Sequence, residues 1–310
     1  MTQKKVSVIV PVYNDPEGLA ATLGSLVVQE YLKSDLEIIV ADNGSLDATL
    51  NVIEEYTRRY PHLVRCVREG RARSSYAARN RGLEAATGEL ISFVDADMTV
   101  GPDWLKTVAG IFDDTGPDYL GCRVRVYSNR KSVAALYNVL TGFPVKRYME
   151  VHHFAPTCCL TVRRRVIDML GGFDGRLRSG GDTEFGSRAW DSDLQFHYAA
   201  GIVMHHPARE TLVALLSKAV RVGRYGRGGV ARLYPQRYGH LKRHYLSLRN
   251  YLPKRPWTIR RSYRCGYSFK NWTVLLLSVL PMLIQLFSVA GFLRSWMGYL
   301  SHKREPKGVV

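Results

Sequence analysis

Short apolar runs alternate with amphipathic stretches through the first hundred residues. Val6 to Val12, Leu36 to Val40, Val64 to Val67 and Leu90 to Val94 are almost wholly apolar. Runs of that length predict strands buried on both faces, as in a parallel sheet. Between the first two, Leu19, Leu23, Leu26 and Val27 recur at helical spacing behind Pro16, with Asn14 and Asp15 placed to cap. Asp47 opens a second helix carrying Val52, Ile53 and Tyr56, and Tyr76 to Ala86 forms a third. Strand and helix in short alternation predict right-handed crossovers. Further on, the pattern predicts a strand over Tyr119–Tyr127, a helix over Ser132–Leu140 and an irregular loop over Thr141–Pro156. A core strand over Cys158–Val162, a short helix Arg165–Leu170 closed by Gly171-Gly172, and a strand pair Gln195–Ala199 and Ile202–Met204 complete it.

Every early strand ends in polar residues: Tyr13-Asn14-Asp15, Asp42-Asn43, Arg68-Glu69 and Asp95-Ala96-Asp97. In a parallel sheet these ends share one edge, where open α/β sheets bind ligands. Asp95 and Asp97 leave the most apolar strand one residue apart. Their oxygens suit Mg²⁺ or Mn²⁺, ions held by one or two carboxylates together with substrate phosphates. A plain acidic turn is the simpler alternative. Asp42 could equally open an Asx turn with Gly44, and Arg79 could be a solvated helix residue. No G-x-x-x-x-G-K-[ST] occurs and the first strand is not followed by G-x-G-x-x-G, which argues against a P-loop or dinucleotide fold. His152 and His153 ahead of Cys158-Cys159 lack zinc spacing and read as a loop before a core strand.

Charge changes the picture next. The chain carries a formal net charge of +17, which calls for an anionic partner. The five cysteines make no even framework, and Met1 to Lys5 carries no apolar signal core, so a cytosolic catalytic part is expected. After Tyr234 the composition turns basic and aromatic. Trp272 to Leu293 is then about 22 residues without a charge, with basic residues on both sides. That is near the length that spans a bilayer, while the basic flanks also fit a segment lying in the interface.

Six stretches in this order resemble the family 2 glycosyltransferases: Val10-Pro11-Val12-Tyr13-Asn14-Asp15, Val40 to Asp47, Ala77 to Gly82, Val94 to Asp97, Gly171 to Asp174 and Gly181 to Gly186. The resemblance covers roughly residues 5 to 230. It implies the GT-A fold, a mostly parallel Rossmann-like sheet flanked by helices. The expected division is a catalytic domain over 1–230 and a helical, membrane-associated tail over 231–310. The resemblance also implies roles. Pro11, Tyr13, Asn14, Asp15, Asp42 and Asn43 would line the nucleotide pocket, with Arg79 and Asp95 on the donor. Asp97, joined by Asp95 and His206, would hold Mn²⁺ or Mg²⁺. An acidic residue after Gly180-Gly181 would be the general base; the family shows Glu-Asp where this chain has Gly181-Asp182. Asp182 is matched to it, with Glu184 and a plain N-cap as the open alternatives. Arg221, Arg224 and Arg227 would grip a diphosphate or lipid phosphate. The Gln-x-x-Arg-Trp run of processive synthases is missing.

The expected function is therefore an inverting, metal-dependent transfer of one sugar from a nucleotide-sugar donor to a glycan or lipid-linked acceptor, in cell-surface polysaccharide or glycoconjugate synthesis. The expected place is the cytoplasmic face of an anionic membrane. Transfer to a polyprenyl phosphate is the close alternative. A basic nucleic-acid-binding protein is the alternative of another class, although the aromatic and basic residues gather beside the apolar run and not on a strand platform.

Overall fold

The structure is a computed structural model and describes residues 3–113, 116–255 and 271–304. Its contacts divide the chain into two compact units, 1–127 with 142–207 and 128–141 with 208–310. Residues 128–141, from the middle of the chain, group with 208–310.

The first unit holds one seven-stranded sheet in the order β3-β2-β1-β4-β6-β5-β7. Its strands are β1 (Val6–Val12), β2 (Leu36–Asp42), β3 (Val64–Arg68), β4 (Leu90–Phe93), β5 (Tyr119–Tyr127), β6 (Leu160–Arg163) and β7 (Phe196–Pro207). β1 pairs in parallel with β2 and β4, and β2 with β3. β6 runs antiparallel between β4 and β5, while β5 and β7 are parallel. The expected mostly parallel sheet is present. Its apolar runs are the core: every residue of β1 and β4 is buried.

The helices of this unit are α1 (Pro16–Val27), α2 (Thr49–Arg59), α3 (Ser75–Ala85) and α4 (Trp104–Ile111), then, after α5 of the second unit, α6 (Val145–His152), α7 (Arg164–Leu170) and α8 (Gly181–Asp191). Asp15 caps α1, its Oδ1 accepting from the Gly18 amide at 3.0 Å.

Three sequence expectations need correction. The loop over Thr141–Pro156 contains α6, which turns Val145 and Met149, four residues apart, into the core. Cys158 and Cys159 lie in a 3₁₀ turn ahead of β6 and not on a strand, although both are buried. The expected strand pair near the end is one twelve-residue strand, and its register against β5 shifts between Cys122 and Arg123.

The second unit contains α5 (Val133–Thr141), α9 (Leu212–Arg221), a π-helical turn Val222–Arg227, α10 (Gly228–Leu233) and α11 (Pro235–Tyr238). Two 3₁₀ turns follow, Gly239–Tyr245 and Leu248–Tyr251, and then α12 (Asn271–Arg304), a 34-residue helix with Pro281 inside it. By length and composition α12 is apolar enough to cross a membrane over Asn271–Met297, with mean hydropathy 2.2. Glycine permits its closest packing. A Cβ on Gly223 would collide with the carbonyl of Ser288, and one on Gly291 with that of Val220.

Candidate active site

The site is built where β1, β2 and β4 end. After β1 the backbone turns at Asn14, which adopts a positive φ of 50°. Its amide donates to Ser45 Oγ at 3.0 Å, and its Oδ1 accepts from the Leu46 amide at 2.9 Å. The Asp15 amide donates to Thr49 Oγ1 at 2.9 Å. The first two loops are thereby stitched together. Tyr13 projects from them 44% exposed, while Pro11 is buried in the strand.

Asp42 closes β2 with no exposed surface. Its Oδ1 accepts from the Ser45 amide at 3.0 Å around Gly44, whose φ is +82°. The Asx turn foreseen as an alternative is present. It occupies only one oxygen: Oδ2 accepts no hydrogen bond and faces Arg68 Nε at 3.5 Å. Asn43, in the amide orientation that satisfies both of its ends, donates to the Ala72 carbonyl at 2.8 Å and accepts from the Ser74 amide at 3.1 Å. It serves the wall of the site.

β4 ends at Phe93, so Asp95 and Asp97 lie in the turn beyond it, which the Met98 amide closes onto the Asp95 carbonyl at 3.1 Å. α1 starts against this turn; a Cβ on Gly18 would stand 2.8 Å from the Ala96 carbonyl. The two carboxylates then part company. Asp95 is ion-paired to Arg79, a residue only 3% exposed on α3, so Arg79 is not a solvated helix residue. Asp97 faces His206 on β7, Oδ2 to Nε2 at 3.6 Å. A backbone bridge explains this approach: Thr99 and His205 exchange amide-to-carbonyl bonds at 3.0 and 2.9 Å. Neighbours on a strand face opposite ways, and of the two histidines His206 is the buried one. The His206 Nδ1 lies 2.6 Å from the Pro207 carbonyl. A carbonyl only accepts, so Nδ1 carries a proton there, and Nε2 is the ring nitrogen that faces Asp97. Among the described residues no group of three His, Cys, Asp or Glu converges as a ligand set.

The other side of the cleft is α8. Gly180, with φ +87°, starts it, and Asp182 sits in its first turn, so the plain N-cap reading of Asp182 does not hold. Asp182 Oδ1 accepts from the Thr183 amide at 3.0 Å and from Tyr76 Oη at 3.3 Å. Burial raises the Asp182 carboxyl above the usual aspartate range, opposed by the Thr183 amide, the Arg79 charge and the Tyr76 hydroxyl. Glu184, the competing acid, faces the other way. It is 5% exposed and gripped by Arg188 at 2.7 and 3.0 Å, while Arg188 also donates to the Leu170 and Gly172 carbonyls. Glu184 ties α8 to the end of α7.

Tyr76 was not singled out by the sequence. It lies one turn before Arg79 on α3, and the Arg79 guanidinium stands 5.5 Å over its ring. Gly181 explains the departure from Glu-Asp: a Cβ there would meet the Tyr76 ring at 2.8 Å. The remaining candidates resolve as scaffold. Asn80 clasps the Phe173 backbone in both directions, at 2.7 and 2.8 Å. His153 adopts a positive φ of 55° and stacks on Trp190 at 3.8 Å. Arg221, Arg224 and Arg227 belong to the second unit, where Arg221 and Arg224 are exposed, Arg224 stands 5.0 Å over the Tyr225 ring and Arg227 5.9 Å over the Tyr245 ring.

Residues 7–171 match the sequence model described as glycosyl transferase family 2. The chain belongs to this family. Glycosyltransferase AglE of Haloferax volcanii is 35% identical over 220 residues, which is 71% of this chain and 72% of AglE. The poly(ribitol-phosphate) beta-glucosyltransferase of Bacillus spizizenii is 37% identical over 101 residues, 33% of this chain and 16% of that protein. This family 2 chain therefore spans most of AglE and a small part of the other relative. The fold is shared with a mannosyltransferase of Pyrobaculum calidifontis solved with GDP-Man and Mn²⁺, at TM-score 0.63, 19% identity, 96% of this chain and 88% of that one. It is shared too with residues 1–349 of Staphylococcus aureus TarS bound to UDP-GlcNAc, at TM-score 0.55, 19% identity, 99% and 94%. This is the GT-A fold. The family match ends at Gly171, before Asp182 and His206, so the reading of those two residues rests on geometry.

Proposed function

We propose that this family 2 glycosyltransferase moves a single sugar from a nucleotide-sugar donor to a hydroxyl acceptor, with inversion and with a divalent metal. The observation that carries the reading is the chain of contacts Asp95–Arg79–Tyr76–Asp182, which couples the turn after β4 to one half-buried carboxylate on α8. A donor held along the strand ends would present its anomeric carbon toward Asp182. The acceptor oxygen attacks that carbon as its proton passes to the Asp182 carboxylate. The bond from the sugar to the diphosphate breaks, and the nucleoside diphosphate leaves with the electron pair. One displacement by one base inverts the anomeric centre. The raised affinity of Asp182 for a proton makes it a stronger base than an ordinary aspartate.

Asp97 and His206 fit a metal: the His206 Nε2 and a carboxylate oxygen face each other, and the second ring nitrogen is fixed by a carbonyl, the usual arrangement of a ligating histidine. A bound Mn²⁺ or Mg²⁺ would supply charge stabilisation to the departing diphosphate. Arg79 holds Asp95 off that pair and leaves it for a donor hydroxyl. Asp42 Oδ2, covered only by the exposed Arg68, is an acceptor for a donor N–H of the base. Nucleotide sugars and Mn²⁺ bound in proteins of the same fold support this reading.

The acceptor class we assign is a glycan or lipid-linked glycan in cell-surface glycoconjugate synthesis, and the place is the cytoplasmic face of an anionic membrane. The charge of +17 and the apolar length of α12 support the membrane part. The test incubates the full chain with membrane lipid extract and a panel of nucleotide sugars, with Mn²⁺. Anomeric analysis of a glycosylated product then reads the stereochemistry. A product that retains the donor configuration, or donor hydrolysis insensitive to Asp182→Asn, would contradict the reading.

A further inference from the structure

α12 carries its small polar residues inward. The residues that face the rest of the second unit mix Val274, Leu277, Leu280 and Phe292 with Ser278, Gln285, Ser288, Gly291 and Ser295, all buried. Its opposite face presents Trp272, Leu275, Leu286, Phe287, Leu293 and Met297, all exposed, Leu275 by 59%. At 3.6 residues per turn these two sets lie on opposite sides of the helix. A surface helix of a water-soluble domain presents a polar outer face instead. Several inward polar atoms are engaged: Gln285 Oε1 meets His244 Nε2 at 3.3 Å, Ser288 Oγ meets Tyr245 Oη at 3.2 Å, and Ser278 Oγ donates to the Val274 carbonyl at 2.7 Å, while Gln285 Nε2 is buried without a partner. The inward face is thus fixed by packing, and the outer face exposes two apolar clusters, Trp272 to Leu276 and Leu286 to Met297, with Arg294 exposed within the second.

We infer that α12 lies in the plane of the bilayer, with Trp272, Leu275, Leu286, Phe287 and Leu293 among the acyl chains, and does not cross it. This deepens the membrane part of the proposed function and rests on it. Two observations favour the plane over a crossing. First, the inward face is covered from Val274 to Ser295. Val133, Leu136 and Tyr137 pack on Val274 and Leu277, Leu215 shares a core with Leu280, and the π turn lies against Ser288. A crossing α12 would carry these elements into hydrocarbon, among them the 3₁₀ turn that holds His244 and Tyr245, whose irregular backbone bilayers do not tolerate facing lipid. Second, the segment seated on the middle of α12 carries Arg221 and Arg224, both exposed. Ser288 lies about 24 Å along the helix from Trp272 at 1.5 Å per residue, inside a hydrocarbon core about 30 Å thick. A crossing would hold guanidinium groups there. In the plane, the same arginines stay on the watery side of α12, within reach of anionic headgroups.

The test reconstitutes the full chain, with one epitope before Met1 and another after Val310, into sealed vesicles of equal phosphatidylglycerol and phosphatidylcholine. External protease is added without detergent. In-plane seating puts both ends on one side, so each molecule loses both epitopes or keeps both. Molecules that lose one epitope and keep the other would establish a crossing and overturn the inference, with membrane association intact. Full-length protein left in the supernatant after vesicle sedimentation would instead refute the membrane reading. If that soluble protein elutes as a dimer, a second copy covers the apolar face. The double variant Leu286→Glu/Leu293→Glu should lose vesicle partitioning about tenfold or more while keeping the thermal midpoint of the parent. Unchanged partitioning would overturn the assignment of this face.

Discussion

Tyr76 on α3 donates its hydroxyl to Asp182 on α8 at 3.3 Å, across 106 positions of sequence. The tyrosine is buried, its own hydroxyl is pushed above the usual range by that burial, and it remains a donor at any working pH. The bond favours the charged form of Asp182 and partly offsets the burial that favours the neutral form.

Removal of that hydroxyl therefore has a defined sign. Tyr76→Phe should raise the Asp182 pKa further, and the acid limb of kcat/KM against pH should move to higher pH, with the alkaline limb in place. Nucleotide affinity should hold. An acid limb that stays put would mean that Tyr76 only fills space. Gly181→Ala probes the same contact from the other side, since its Cβ would press on the ring at 2.8 Å, and it should cost both turnover and stability.

Asp182→Asn should separate activity from stability. The amide cannot take the acceptor proton, and kcat should fall about 10²-fold or more. Stability should move the other way. With its folded pKa raised above the ordinary aspartate value, Asp182 holds its proton more tightly in the folded chain than in the unfolded one. Between those two pKa values the folded state binds more protons, so stability falls as pH rises through that window, and the loss persists at neutral pH. The asparagine variant escapes this loss and should melt at a higher temperature than the parent at pH 7, with the difference vanishing in acid. Differential scanning calorimetry across pH reads it directly. A variant that melts lower at neutral pH would argue against the burial of the carboxylate.

Glu184 should behave in the opposite way. Glu184→Gln leaves Arg188 with a neutral partner where two close charge-assisted bonds stood. We expect a loss of roughly 1–3 kcal/mol in unfolding free energy and a kcat near that of the parent in the folded protein. A large loss of kcat with unchanged stability would transfer the role of base from Asp182 to Glu184.

The strand-borne half of this site is legible from sequence because its signals are local. A buried parallel strand must be an apolar run, and the residue that leaves it must be polar, so Asp42, Asp95 and Asp97 announce themselves. The rest depends on contacts that no local pattern records. Nothing near Arg79 says that its partner is Asp95 and not solvent. Asp182 and Glu184 stand two positions apart in one helical turn, and only the carbonyls of Leu170 and Gly172 around Arg188 decide between them. Choosing His206 over His205 depends on which face of β7 is buried. α6 escaped because its lone apolar pair, Val145 and Met149, is embedded in charged residues. The strand pair is one strand because β5 absorbs an irregularity opposite Gly201 by a shift of register.

The most direct measurement is calorimetric titration of the full chain with a panel of nucleoside diphosphates, in Mn²⁺ and again in chelator. It is repeated on Asp97→Ala and on His206→Ala. The parent should bind one of the panel tightly with Mn²⁺ and much more weakly in chelator. Both variants should bind at the chelator level whether Mn²⁺ is present or not, with thermal midpoints close to that of the parent. Equal binding by parent and variants, unmoved by chelator, would contradict a metal held between Asp97 and His206.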